Sequence, residues 1–304
     1  MIRAGLILFL SLAFPSSLLA SGAYPYRMPR GEGFSPTSDT VIGVMRQYRV
    51  REKDTLLDIA RHFDLGFNEI RLLYPRMDPW LPPPGKILDI PTRWVLPVFH
   101  GEGIVINVPE LRLYLFMSKI GLVKTYPVGI GVKEHPTPFG SFRVVEKERD
   151  PTWDIPPSLQ AEYGGLKCIP PGPRNPLGRY WIGLSQGSYG IHGTNSPWGI
   201  GRLVSHGCIR LYPEDIEELF PLVRVGMRVE IIYEPVKFGY KKGRIFVEVH
   251  PDIYHRCQDL TAHGVDLALS KGLMPYIDLR RLLKALETRN GVPYDVTKRP
   301  LTSP

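Results

Sequence analysis

Cys208 lies in VSHGCIRL, sixteen residues beyond His192 in SYGIHGT. A thiol and an imidazole at that separation can meet if the chain between them folds back. That stretch, Gly193 to Val204, carries the glycines and the proline that such a return needs. An isolated cysteine with a pKa near ~8.5 is only about 3% thiolate at neutral pH. A neighbouring imidazolium lowers that pKa toward ~3.5–7.5, so the spacing predicts a nucleophile, Cys208, activated by a base, His192. Gly207 permits a turn that a Cβ would obstruct, and in that turn the amides of Gly207 and Cys208 can face an oxyanion. Arg210 offers a planar fork to a substrate carboxylate. Quieter roles stay open for each residue. Cys208 can be a small buried side chain, His192 or His206 a donor to a main-chain carbonyl, Arg210 a surface charge and Ser205 a turn former. Zinc held by His192, His206 and Cys208 is disfavoured, because H-x-C aims its side chains together only loosely, and no metal is expected.

The elements that must position these residues are mostly short strands. GIVINVPELRLYLFM reads as two strands around a turn at Pro109-Glu110; LVKTYPVGIGV, GSFRVVEKERD, Arg179–Leu184 and Ser188–His192 continue the pattern. Nothing between 100 and 205 has the period and length of a crossover helix, so residues 98–235 are expected as a mainly-β domain. Pro213, with Glu214 and Asp215 in the first turn, opens a helix over Pro213–Val223 behind the cysteine turn. Upstream, residues 47–92 read as strand, helix, helix, strand. Tyr48 and Val50 alternate, Leu56, Ile59, Ala60 and Phe63 keep helical spacing behind a cap at Asp54 or Thr55, Pro75 stops a second short helix, and Lys86–Ile90 returns as a strand. Residues 24–46 read as a Gly/Pro/Ser-rich linker. Residues 236–304 form an extension with a strand at RIFVEVH and a helix around IDLRRLLKAL, and its end from Pro293 reads as poorly anchored.

The 304-residue chain has 31 prolines, 30 glycines and a net charge of +8, which suits an anionic partner. It has no run of five or more Lys and Arg and no RNA-binding signature, so nucleic acid is not expected. Arg3, the apolar run Ala4–Phe14 and small residues ending at Ala20 or Ala23 read as a signal peptide over residues 1–23, hence an exported protein. The apolar run is short for the ~30 Å of a bilayer core. Cys168, Cys208 and Cys257 are an odd number for an oxidising compartment; a Cys168–Cys257 pair is one of three pairings, and the sequence does not choose among them.

IHGT followed by SHGCIRL, together with PTPFGSFRV, DPTWDIPP, GPRNPLGRYWIGL and PVKFG through VEVHPD, resembles the L,D-transpeptidases of bacterial cell walls. The resemblance implies Cys208 as nucleophile and His192 as base. It places Ser205, His206 and Gly207 on the oxyanion and positioning side, and Arg210, Gly193 and Thr194 on the substrate side. It further implies attack on the diaminopimelate carbonyl of a tetrapeptide stem, loss of D-alanine and transfer of the acyl group to an amine. That amine would belong to another stem, giving a 3→3 cross-link, or to an envelope protein; no cofactor is implied. A stem-peptide hydrolase with the same dyad and a non-catalytic wall-binding scaffold are the alternatives. YRV, DTLLDIA and PGKILDIP resemble a LysM module, with Tyr74-Pro75 where many members carry asparagine. The implied architecture is a small α+β LysM module (βααβ), a mainly-β catalytic domain and a partly helical C-terminal extension. The implied partner is peptidoglycan, and the implied location is the periplasm of a Gram-negative-type bacterium.

Overall fold

The computed structural model describes residues 22–29 and 37–299. Its centre is a nine-stranded sheet in the order Ala23–Pro25, Leu122–Pro127, Arg112–Met117, Gly103–Asn107, Arg228–Ile232, Gly140–Arg149, Tyr180–Leu184, Gly190–His192 and Ile209–Arg210. Two neighbouring pairs are parallel, Gly103–Asn107 with Arg228–Ile232 and Gly190–His192 with Ile209–Arg210; the others are antiparallel. The helix Pro213–Leu222 opens on Pro213, as the sequence predicts, and buries Ile216, Leu219 and Phe220 in the same core as Ile182, Ile191 and Ile209.

Residues 46–90 form the expected order: strand Arg46–Arg49, helices Leu56–His62 and Phe67–Leu73, and strand Ile87–Ile90, which pairs with the first. Thr55 is the cap of the first helix, its hydroxyl accepting the Asp58 amide at 3.0 Å. Asp54 instead accepts from the Arg51 amide and the Tyr48 hydroxyl. This module packs directly on the sheet. Glu69 accepts two bonds from Arg112, at 2.9 and 3.2 Å, and one from the Trp94 indole at 2.8 Å, with the Arg112 guanidinium 4.3 Å from the Trp94 ring centre.

The expected linker at 24–46 is ordered structure over its described part. Ala23–Pro25 is the edge strand of the large sheet, and Val41–Gly43 pairs with Arg93–Val95. The Thr40 amide donates to the Tyr240 carbonyl, joining this segment to the extension. The Pro/Gly/Ser composition hid apolar residues that do pack, among them Val41 and Ile42. The leader expected at 1–23 lies outside the described residues as far as residue 21. Ala23 pairs with Lys124, so a cut after Ala20 leaves this strand whole and a cut after Ala23 removes its first residue.

The extension builds a sheet from Val236–Lys241, Arg244–Val249 and Tyr294–Asp295, covered by helices Leu260–Ser270 and Leu279–Thr288. The Tyr294–Asp295 strand anchors the part of the chain that read as a loose end, because Asp295 and Tyr294 pair with Phe246 and Val247. All three cysteines are unpaired.

Candidate active site

Strand register brings the candidate residues together. In the parallel pair, Ile191 stands beside Ile209 and His192 beside Arg210. Paired residues in a sheet share a face and successive residues alternate, so the fully buried Ile191 and Ile209 point into the core while His192 and Arg210 point the other way. Cys208, two residues before Arg210, lies just outside the strand, its thiol near the Ser188 carbonyl and within reach of the Arg210 charge. Across the antiparallel pair His192 stands opposite Trp181, whose ring centre is 5.8 Å from the imidazole and whose indole donates to Glu146 at 2.8 Å. Gly190 makes room for that ring: a Cβ there would stand 2.3 Å from a Trp181 ring carbon. The sequence quoted Trp181 within its strand but gave no reason to place it at the site; only register does so.

The imidazole of His192 is 3% exposed. Its Nδ1 lies 2.7 Å from the Gly193 carbonyl, an acceptor only, so Nδ1 carries the hydrogen and Nε2 keeps its lone pair. Burial, with the nearby Arg210 guanidinium, lowers its pKa to about 3 against the pull of the Gly193 and Leu177 carbonyls. Burial likewise pushes the Cys208 thiol up, and the Gly190 amide and Arg210 only partly offset this. Burial thus works against both ions of the thiolate–imidazolium pair that the spacing suggested. His192 is buried and Cys208 only partly so, and the guanidinium opposes the imidazolium.

The turn Ser205–Cys208 is held by its own hydrogen bonds. Ser205 Oγ donates to the Cys208 carbonyl at 2.5 Å and accepts the Gly207 amide at 3.1 Å. That occupies one of the two amides expected at an oxyanion and leaves Cys208 N–H as the donor of the pair. Gly207 has φ +105°, and a Cβ would lie 2.5 Å from the Tyr189 ring, so the position requires glycine. His206 is exposed, its ring 4.8 Å from that of His135 at the rim.

Arg210 exchanges backbone hydrogen bonds with Gly129, both at 2.8 Å, while its Nε is buried without a partner. Burial lowers its pKa, opposed by Cys208 and Tyr163. Gly193 is packed against Ile216 and the Leu177 carbonyl. Thr194 is buried, and its hydroxyl accepts the Ser196 amide at 3.0 Å. Its visible role is thus to shape the loop, not to present a hydroxyl at an open surface. That loop is clamped by the N-terminal module. The Phe67 amide donates to the Ile200 carbonyl at 3.2 Å, Arg202 covers the Phe67 ring at 4.0 Å, and Gly201 passes so close that a Cβ would lie 2.3 Å from Phe67 N.

The model of the YkuD family, described as the L,D-transpeptidase catalytic domain, matches residues 101–231. Together with full-length similarity, this shows that the chain belongs to the L,D-transpeptidase family, whose members act on peptidoglycan. It is 33% identical to the probable L,D-transpeptidase ErfK/SrfK of Escherichia coli (strain K12), over 97% of each chain. It is 37% identical to the probable L,D-transpeptidase YbiS of the same strain, over 77% of this chain and 80% of that one. To the putative L,D-transpeptidase YkuD of Bacillus subtilis (strain 168) it is 32% identical, over 62% of this chain and 99% of that one. Among the described residues no helix is long and apolar enough to cross a membrane.

Proposed function

We propose that this protein transfers the acyl group of a tetrapeptide stem through Cys208. The observation that carries the reading is the shared sheet face of His192 and Arg210, with the Cys208 thiol within reach of the Arg210 charge and His192 Nδ1 tied to Gly193 so that Nε2 serves as the base. As Cys208 Sγ bonds to the diaminopimelate carbonyl carbon, its proton passes to His192, and the Cys208 amide faces the developing oxyanion. The C–N bond to D-alanine then breaks, the amine takes that proton, and a thioester remains. An acceptor amine attacks the thioester, gives its proton to His192, and restores the thiol. Arg210, with an unpartnered Nε, fits a stem carboxylate. A second diaminopimelate as acceptor yields a 3→3 cross-link, a lysine an anchored envelope protein, and water a trimmed stem. Intact mass after incubation with a disaccharide-tetrapeptide tests the first half-reaction. The expected adduct equals the substrate minus D-alanine and is discharged by added amine. The absence of both the adduct and free D-alanine would refute the reading.

The N-terminal module is read as a LysM domain that grips the glycan, in a periplasmic enzyme. A cavity of about 490 Å³ lined by Leu73, Tyr74, Pro75, Met77, Leu81 and Lys86 opens on its surface, with Leu81 exposed. Leu81→Asp is expected to weaken co-sedimentation with murein about tenfold, equivalent to ~1.4 kcal/mol. Unchanged sedimentation would remove the cavity from the binding surface.

A further inference from the structure

Tyr254 belongs to the extension, beyond the residues matched to the family, yet its hydroxyl reaches the catalytic turn through one intermediary. Tyr254 Oη donates to the Gly131 carbonyl at 2.6 Å and accepts the Thr137 amide at 3.3 Å. The Gly131 amide donates to Thr137 Oγ1 at 2.9 Å, and Thr137 Oγ1 donates to the Gly207 carbonyl at 3.0 Å. The same loop touches the other end of the turn, where the Val132 amide donates to the Ser205 carbonyl at 2.9 Å. Thr137 is fully buried. The Gly207 carbonyl and the Cys208 N–H belong to one planar trans peptide and point in opposite directions. Holding the carbonyl therefore aims the N–H. Tyr254 is itself fixed, stacked on Tyr233 with ring centres 6.1 Å apart, its amide donating to the Tyr233 hydroxyl at 2.9 Å.

We propose that Tyr254 is a positioning residue for acyl transfer, acting through Gly131 and Thr137 to fix the Gly207–Cys208 peptide plane. The extension thereby completes the catalytic turn. The inference rests on Cys208 being the nucleophile, and its test does not require the wall substrate. With 4-nitrophenyl acetate, Cys208 Sγ bonds to the carbonyl carbon through a tetrahedral oxyanion, nitrophenolate leaves, and the thiol proton passes to His192. Iodoacetamide alkylates the same sulfur by displacing iodide, with no oxyanion.

Both rates are read at Cys208 by peptide mass in the full-length protein. Tyr254→Phe keeps the ring stack and removes only the hydroxyl. It is expected to slow acylation about tenfold, within the ~100-fold that a 1 Å misplacement can cost, while alkylation stays within about twofold. Thr137→Val should match it, and Thr137→Ser, which keeps the hydroxyl, should stay near wild type. Acylation of Tyr254→Phe at the wild-type rate would overturn the proposal, as would an equal fall in both rates, which marks general loosening. Wild-type protein that is not acylated at Cys208 would instead refute the nucleophile reading, and this inference with it.

Discussion

Cys208→Ala should remain folded and lose at least about four orders of magnitude in D-alanine release from the tetrapeptide stem, the scale on which removing a catalytic nucleophile acts. The fold has little to lose. The thiol makes only weak contacts, with the Ser188 carbonyl at 3.8 Å and with the Gly190 backbone, so the stability change should stay below about 1 kcal/mol. The reaction has much to lose, because alanine leaves His192 with no proton to take and the carbonyl with no sulfur to bond. The checks are released D-alanine and a thermal melt on the same preparation. D-alanine release near the wild-type rate from folded Cys208→Ala would end the proposed mechanism.

Lys237→Met should produce the largest loss of stability. The Lys237 ammonium is buried between Glu110 and Glu248, at 2.7 and 3.0 Å, and also donates to the Val95 carbonyl. Glu110 lies in the catalytic domain, Val95 in the strand leading out of the N-terminal module, and Glu248 in the extension, so one cation joins three parts of the chain. It also sits among Glu110, Glu248 and His250, the side chains whose spacing would otherwise suit a metal ion. Burial alone would raise the Glu248 pKa, but Lys237 and His250 outweigh it and hold it at about 2. Removing one partner of a buried pair costs ~3–5 kcal/mol, or roughly 10 °C in melting temperature for a chain of this size. A depressed carboxylate pKa gives stability that is complete above the unfolded value near ~4.3 and is lost as pH falls toward the folded value. In Lys237→Met the carboxylate keeps only His250 and the Val95 amide to favour its ionised form, so the gap to wild type should narrow below about pH 4. Melts from pH 8 to pH 3 read this directly, and equal melting temperatures at neutral pH would refute it.

Local signals were legible in the sequence. Pro213 with two acidic residues after it marks the start of its helix, and a cap at Asp54 or Thr55 marks another, with Thr55 the one that caps. His192 and Cys208 were legible as chemistry from their spacing and the glycine-containing loop that folds the chain back between them. What was not legible depends on partners far along the chain. Trp181 joins the site only through its register with His192, and the protonation states follow from burial that no local pattern reports. The helix Leu260–Ser270 escaped notice because Gly264 interrupts its helical pattern. Its reason is tertiary: a Cβ there would stand 2.3 Å from Leu286 in the neighbouring helix.

The fixed seat of the N-terminal module on the Gly193–Val204 loop changes what glycan binding can contribute. A module on a flexible tether would offer stem peptides at an effective concentration of about millimolar over many orientations. Here the Arg112–Glu69 pair and the Phe67–Ile200 bond set a constant offset between the module's cavity and Cys208. For a strand held at that cavity, stems at the matching reach meet the thiol and stems out of step do not. Under the proposed reading, avidity follows the spacing of stems along the glycan, not the length of a linker.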